Sequence, residues 1–540
     1  MPSEQPGSAG SWPAGWGRYL VAPRPAGLVP GSVPPIEESV LLSLLEEDDQ
    51  VRVLEQVRPS RSRGLGAIAE PAPACPLVAV VVMAPERARA LAGNPQVVVE
   101  PDLPLLYPVA SPLAGAVPIA DPALAVLLTE PATMTVQVTD RDQTPVPGAH
   151  VWAIGAAGPA HAVTDSAGTA TLELVADTPH TVRTVYVRPA GGFWPARIHG
   201  PALDRDAQDG VHVTLRALAE DFEGFPHRPL SGWGAQAMRL NQVPPTFRGH
   251  GTTIALLDAG VDAAHPDLKD SVVGGHDFTS ADGLGWQEDA TGHGTQCAGV
   301  IAAADNRTGI TGIAADAKLH ALKLYPNGRV SHLLRALDWC ITHGIDIAQI
   351  NLACPQPSQL VAWKILDTRT AGTTLIAPAG DTHTTAAFPA SLPTVISAGA
   401  LAHTGTQPRD GQAGHHGPYT PAFTPVGADF AAPGVAVVTT GRDSGYTPAD
   451  GTAIAAAHLT GLAALLAAHH GQLRSTAGRV DILTTLMAAA ARPVPGTDPT
   501  RTGRGLPDAP TALGQFVPEW QTGTLPSESG VGSPQFMLRT

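Results

Sequence analysis

Residues 249–270 read GHGTTIALLDAGVDAAHPDLKD and residues 289–303 read DATGHGTQCAGVIAA, and these two stretches decide the fold. In the first, the apolar run TIALL predicts a buried strand that ends at Asp258, followed by a small residue and a glycine that allow a sharp turn. In the second, His293 lies between two glycines where a helix of small apolar residues begins. Because sites in open α/β sheets form at the carboxyl ends of strands, we expect an Asp258–His293 pair there, with His293 as the base and Asp258 orienting it.

Further segments of the same half fall in a recognisable order. Together with D-x-G-V-D-x-x-H-P-D-L and G-H-G-T-x-x-A-G, they resemble the subtilisin-like serine peptidases (subtilases) over residues 233–515. The resemblance implies an α/β fold, with a parallel sheet and helices on both of its faces. The additional segments are Trp233-Gly234, INLA (Ile350–Ala353), PAG (Pro378–Gly380), FPASLPTVISAGA (Phe388–Ala400) and FAAPG (Phe430–Gly434).

The nucleophile motif of that family is altered in this chain. The family reads G-T-S-x-A-x-P-H at the start of a long buried helix, whereas residues 451–470 read GTAIAAAHLTGLAALLAAHH. The flanking glycine, threonine and histidine align, so Ala453 occupies the position of the serine. A methyl group cannot attack a carbonyl carbon, so the chain as written lacks the nucleophile.

Two more positions depart from the family pattern. Subtilases usually place an asparagine, whose amide donates to the oxyanion, where this chain has Asp381, and an ionised carboxylate repels developing negative charge. The strand that pairs with substrate, usually N-x-S-L-G, ends at Pro355, which has no N–H for a docked peptide. We predict that the substrate cleft is formed by Leu352, Ala353, Cys354 and Pro355.

The first 217 residues predict two smaller modules. Residues 17–107 alternate strands and helices as in a small ferredoxin-like α/β domain, and ERARALAGNP followed by VVVEPDLPLLYP resembles the end of a subtilase propeptide, an inhibitory domain. Residues 131–217 form short alternating strands and resemble a carboxypeptidase-regulatory-like β-sandwich. Residues 1–16 are predicted to be a flexible leader, 108–130 a linker and 516–540 a C-terminal tail.

Composition and charge exclude several classes of function. The chain is 43% hydrophobic and 15% charged, which is typical of a folded protein, and its net charge of −15 without a basic run argues against nucleic acid. We find no signal peptide and no membrane span, and the four cysteines are sparse, so we expect a cytoplasmic protein. The acidic loop with Asp282, Glu288 and Asp289 is a candidate calcium site, and a solvated loop is the alternative.

Three functions remain open. The first is a catalytically inactive pseudopeptidase that binds a peptide or protein ligand without cleaving it. The second is an active serine endopeptidase whose catalytic serine has been replaced by Ala453, and the third is a scaffold that partners an active peptidase. A chain without a nucleophile should keep residues 17–107 attached, so we expect the tail after Glu100 to lie in or near the cleft and block it.

Overall fold

The elements alternate between strands and helices in the first and last parts of the chain and are all strands between them. Within the described residues the strands are β1 (Gly17–Pro23), β2 (Val51–Val57), β3 (Val78–Met83), β4 (Val97–Pro101), β5 (Ala132–Thr139), β6 (His150–Ile154), β7 (Pro159–Val163), β8 (Thr169–Leu174), β9 (Thr184–Arg188), β10 (Ala196–His199), β11 (Val211–Thr214), β12 (Thr253–Asp258), β13 (Val272–Asp277), β14 (Lys318–Lys323), β15 (Ile347–Ile350), β16 (Thr374–Pro378), β17 (Ile396–His403), β18 (Pro418–Tyr419), β19 (Phe430–Pro433), β20 (Val437–Thr440), β21 (Tyr446–Ala449), β22 (Ala491–Arg492) and β23 (Leu506–Pro507). The α-helices are α1 (Glu38–Glu46), α2 (Pro85–Ala92), α3 (Trp233–Ala237), α4 (His293–Ala302), α5 (Val330–Thr342), α6 (Gln359–Thr370), α7 (Thr452–His469), α8 (Arg479–Ala490), α9 (Pro499–Thr502) and α10 (Ala509–Ala512).

The structure is a computed structural model of the chain. It describes residues 12–25, 34–59, 75–107, 132–155, 158–175, 177–203, 210–382, 384–404, 417–469 and 478–514. The predicted linker 108–130, the predicted tail 516–540 and most of the predicted leader 1–16 therefore lie outside the described residues.

The strand that ends at Asp258 lies inside an eight-stranded sheet. Seven strands follow the order β13-β14-β12-β15-β16-β17-β18. The eighth strand, β19, pairs with β17, which also pairs with β18. The pairings are parallel except for that of β17 with β18. The predicted α/β fold is confirmed. Strand β12 lies between β14 and β15, so its carboxyl end is flanked by the carboxyl ends of two parallel neighbours. Ligand crevices of open α/β sheets form at this edge.

Helices cover both faces of this sheet. The helices α4 and α7 pack in one buried cluster with Ile254 and Leu256, whereas α5 and α6 pack in another with Ala255 and Leu257. The alternation along β12 therefore supplies apolar side chains to both faces, as expected for a strand buried on both sides.

Helix α7 is apolar all round because it lies inside the domain. Of the described helices, it alone is long and apolar enough to cross a membrane by composition, but 89% of its most apolar window is buried within the protein. The sequence predicts no membrane span, although this helix has the length and composition of one. Its burial against the sheet identifies it as a core helix.

The N-terminal module (residues 17–107) is a four-stranded antiparallel sheet in the order β2-β3-β1-β4. One face packs on α1 and α2 through residues such as Val21 and Val81. The other face, which includes Leu20 and Val80, shares a buried cluster with α5 and α6. The module is therefore joined to the large domain by a continuous apolar core.

The sandwich module (residues 132–214) has one sheet ordered β10-β9-β6-β7 and one ordered β11-β5-β8. The pairing of β11 with β5 is parallel, whereas the other described pairings of the module's named strands are antiparallel. The loop after β9 fixes the module to the large domain, since Gly192 donates its N–H to the carbonyl oxygen of Tyr446 at 2.7 Å. Trp194 adds an apolar contact, in one buried cluster with Val435 and Val438.

Candidate functional site

The Asp258 carboxylate is buried, with 1% of its surface exposed, and accepts four hydrogen bonds. Its Oδ1 accepts from the backbone N–H of Ala259 at 2.7 Å and from the Tyr107 hydroxyl at 2.5 Å. Its Oδ2 accepts from Nδ1 of His293 at 2.9 Å and from Nδ2 of Asn351 at 2.6 Å. The structure thus brings together the predicted pair, and each carboxylate oxygen has two donors.

A close approach between backbones brings the two elements of this pair together. A Cβ at Gly294 would lie 2.0 Å from the carbonyl oxygen of Gly260 and 3.3 Å from Cβ of Asp258. Only glycine therefore lets the first turn of α4 lie against the end of β12. This explains why the histidine is followed by a glycine in the sequence.

The charges of the pair stabilise each other. Burial raises the pKa of Asp258, but hydrogen bonds from His293, Tyr107 and Asn351 outweigh it, and the pKa lies below 3.8. Burial lowers the pKa of His293, but the Asp258 carboxylate and the Cys297 thiol outweigh it, and the pKa lies well above 6.5. Each partner therefore favours the charged form of the other, an imidazolium beside a carboxylate.

Ala453 lies at the second position of α7 and is 3% exposed. Its carbonyl oxygen accepts a hydrogen bond from Nε2 of Gln349 at 3.1 Å, and the same amide donates to Oδ1 of Asn351 at 2.8 Å. Sγ of Cys297 lies 3.9 Å both from Nδ1 of His293 and from the Ala453 carbonyl oxygen. The start of α7 is therefore tied through buried side chains to the Asp258–His293 pair.

Asp381, the predicted oxyanion residue, acts as an acceptor at the same helix end. Its Oδ1 accepts from the backbone N–H of Thr452 at 2.9 Å, and it is 6% exposed. The Thr452 hydroxyl in turn accepts from the N–H of Gly380 at 3.1 Å. A carboxylate at the first turn of a helix satisfies an otherwise unpaired N–H and the helix dipole. An ionised carboxylate at this position cannot donate a hydrogen bond to an oxyanion.

The cleft contains the end of the N-terminal module. Residues 103–106 lie between two segments of the large domain and form isolated antiparallel bridges with them, Pro104 with Arg329 and Leu106 with Ala353. Leu105 donates to the Gly328 carbonyl at 2.8 Å and Val330 to the Leu103 carbonyl at 3.0 Å, while Leu106 and Ala353 exchange hydrogen bonds of 2.7 and 2.9 Å. The predicted tail segment therefore lies between residues 328–330 and Ala353, which is one of the predicted cleft residues.

Two carboxylates just before this segment cap helices of the large domain. Glu100 accepts from the N–H of Gln359 at 2.7 Å and from the Ser358 hydroxyl at 2.5 Å, where α6 begins. Asp102 accepts from the N–H and the hydroxyl of Ser331, each at 2.9 Å, at the start of α5. Acceptors at helix N-termini are favourable, so both contacts hold the segment in register.

The four predicted cleft residues have different roles. Ala353 both donates to and accepts from the backbone of Leu106. The N–H of Cys354 instead donates to the Phe388 carbonyl oxygen at 3.0 Å. Leu352 is buried in the core, and Pro355 is exposed at the rim. The described pairing with this segment therefore ends before Pro355, as the missing N–H requires.

The carboxylates of Asp282 and Asp289 in the acidic loop accept hydrogen bonds from protein donors. Both oxygens of Asp289 accept from protein donors, Oδ1 from Thr291 and Gly292 and Oδ2 from Thr295. Oδ1 of Asp282 accepts from Ser280 and Leu284 nearby. Among the described residues, the group of three metal-binding side chains is Asp258, His293 and Cys297, whose ligand atoms lie within 4.8 Å of one another. Hydrogen bonds already join them.

Sequence reasoning missed three residues of the site. Tyr107 continues the segment: its hydroxyl reaches Asp258, and its ring lies edge-on to His293 at a centroid distance of 5.0 Å. Asn351 and Cys297 complete the polar contacts below the pair. The quoted motifs contain all three, but no pattern in the sequence shows that their side chains point to Asp258.

We expect Tyr107→Phe to loosen the segment in the cleft. The change removes a hydrogen bond to a buried carboxylate, which contributes about 1.5–3 kcal/mol. The amides of Leu106 and Ala353 should then exchange with deuterium about tenfold or more faster, measured by hydrogen exchange and mass spectrometry. Tyr325→Phe is the control, because Tyr325 packs against Tyr107 at 4.7 Å. Equal exchange in the two variants would show that the hydroxyl does not hold the segment.

We expect the contribution of His293 to stability to depend on pH. The folded pKa of His293 is raised, so its contribution is complete below about pH 6.5 and is lost as the pH rises through the folded value. That of Asp258 is lowered, so its contribution is lost as the pH falls below about 4. The difference in unfolding free energy between wild type and His293→Gln should therefore be largest near pH 5–6 and shrink at alkaline pH.

Chemical denaturation across this pH range measures that difference. The control is His320→Gln, because burial lowers the pKa of His320 and its contribution should instead be lost on acidification. A pH-independent difference for His293→Gln would contradict the ion pair.

Comparison with known proteins agrees with this geometry. The model of the subtilase family matches residues 249–514. Subtilisin DY of Bacillus licheniformis is 30% identical over 249 residues, which is 44% of this chain and 85% of that protein. M-protease of Shouchella clausii is 31% identical over 49% of this chain and 66% of its own length, and subtilisin NAT of Bacillus subtilis subsp. natto is 30% identical over 42% and 57%. The chain belongs to the subtilase family.

Proposed function

We propose that this subtilase-family protein binds a peptide strand in its cleft without cleaving it. The observation that carries the proposal is Ala453 at the start of α7, where the family has its serine nucleophile. A second candidate, an active endopeptidase in which Ala has replaced that serine, is favoured by the retained 2.9 Å contact between Asp258 and His293.

Two chemical requirements of peptide hydrolysis are unmet in the proposed pseudopeptidase. The methyl group of Ala453 cannot form the acyl bond, although the Asp258–His293 pair remains in contact. Asp381 presents a carboxylate where a donor would stabilise the oxyanion. Replacing one of these groups would leave the other obstacle in place.

Peptide binding is supported by the slot that residues 103–107 occupy. The slot offers backbone donors and acceptors on both sides, at Gly328–Val330 and at Ala353. It also holds an apolar side chain, since Leu105 is 7% exposed and shares a buried cluster with Leu324 and Leu352. A ligand of the same chemistry would be an extended peptide with a leucine-like residue two positions before the residue that meets Asp258.

Restoring the serine tests the proposal. Ala453→Ser and the double variant Ala453→Ser/Asp381→Asn would be incubated with a chromogenic peptide substrate, and their intact masses would be followed. The matched control is Ala456→Ser, which adds a hydroxyl at another fully buried position of α7. We expect Ala453→Ser to show no more hydrolysis than the control, because the carboxylate at position 381 remains and residues 103–106 still pair with Gly328, Val330 and Ala353.

The outcomes separate the two candidates. Strong hydrolysis by the single variant would overturn the proposal and favour the active endopeptidase. Absence of hydrolysis even in the double variant would agree with a cleft that has lost catalysis at several positions.

A further inference from the structure

The outward face of one sheet of the sandwich carries a row of aromatic and basic side chains. His161, Trp152, Tyr186 and Arg197 lie opposite one another across β7, β6, β9 and β10. Ring centroids of Trp152 lie 4.8 Å from His161 and 5.6 Å from Tyr186, and the Arg197 guanidinium lies 5.3 Å from the Tyr186 ring. We call this row, with its neighbours His150 and Arg188, the aromatic–basic wall.

The wall is accessible, and basic side chains stand at its outward strand positions. His161, Arg188 and Arg197 are exposed, and the two large rings between them are half-buried. The outward positions of the four strands contain no acidic residue, although the chain as a whole has 48 acidic and 33 basic residues. Those outward positions are His150, Trp152, Ile154, Pro159, His161, Val163, Thr184, Tyr186, Arg188, Arg197 and His199.

The wall lies beside the candidate active site. The loop that follows Arg188 contacts β21 through the hydrogen bond from Gly192 to Tyr446. Burial, Arg188, His161 and Arg442 lower the pKa of His150, so Arg442 lies within electrostatic range of the wall. The side chain of Arg442 also lies against Gly292, since a Cβ there would be 3.5 Å from its Cγ. Arg442 therefore lies against the residue before His293 and within electrostatic range of the wall.

Asp450, which follows β21, also lies near the wall. Burial raises the pKa of Tyr186 to about 12, and Asp450 raises it further because it lies nearby. Asp450 is separated from Ala453 by two residues and is exposed. The segment 103–107 pairs instead with Gly328 and Ala353. The described hydrogen bonds of the segment are therefore made to residues outside the wall.

We propose that the aromatic–basic wall binds an acidic, aromatic stretch of the peptide that reaches the cleft. This rests on the proposed function and adds the chemistry of the ligand. Arg188 and Arg197 would pair with its carboxylates, and the rings of Trp152 and Tyr186 would stack with its planar groups. A peptide is favoured over an anionic polysaccharide because the wall adjoins a slot with backbone hydrogen-bonding groups on both sides.

The test measures binding of labelled octapeptides to the full chain by fluorescence anisotropy. One peptide alternates glutamate with tyrosine, and its matched partner has glutamine in place of each glutamate. The variant is Arg188→Gln/Arg197→Gln. The control, Arg89→Gln/Arg228→Gln, removes the same charge from two exposed arginines outside the wall.

We expect the acidic peptide to bind the wild type and the control equally, and the wall variant about tenfold more weakly. Binding should weaken with added salt, and the glutamine peptide should bind weakly to all three proteins. Equal binding of the acidic peptide to all three proteins would overturn the proposal. So would tighter binding of heparin than of the peptide, with loss in the wall variant, because the site would then be one for polysaccharide.

A separate experiment tests peptide binding in the cleft independently of peptide binding to the wall. A labelled peptide with the sequence of residues 100–107 is added to the Tyr107→Ala variant, and its mass is checked afterwards. Binding without cleavage supports the cleft function whatever the wall does. Cleavage of this peptide would overturn the proposed function, while the comparison of arginine variants would still decide the wall.

Discussion

The buried carboxylate of Asp258 is the constraint on which the site depends. An ionised carboxylate that is 1% exposed is costly unless donors surround it, and its two oxygens accept from Ala259, Tyr107, His293 and Asn351. These donors come from the turn after β12, from the N-terminal module, from α4 and from the residue after β15. One charge therefore positions four parts of the chain.

This constraint accounts for the contact between Asp258 and His293 whatever residue stands at position 453. Breaking a buried pair by removing one partner strands the other charge, so the contact is maintained. Tyr107 adds a donor from the segment next to the pair, and Glu100 and Asp102 fix that segment at two helix ends. In the proposed function, the same contacts hold a strand without cleaving it.

The sequence predicted the parts of the structure that depend on local pattern. The apolar run before Asp258, the glycines around His293 and the altered motif at Ala453 each lie within a few residues, and the α/β fold follows from their order. The hydrogen bond from Tyr107 joins residues 151 positions apart. Nothing in the local sequence specifies it. The same is true of the aromatic–basic wall, because its row exists only once β7, β6, β9 and β10 are paired in register.

The most direct measurement is the intact mass of the purified protein after prolonged incubation at neutral pH. If the chain binds its own segment without cleaving it, a single species with the mass of the uncleaved 540-residue chain remains, and residues 103–107 stay protected from hydrogen exchange. Accumulation of two fragments that separate the N-terminal module from the rest, in protein free of contaminating peptidases, would contradict the account.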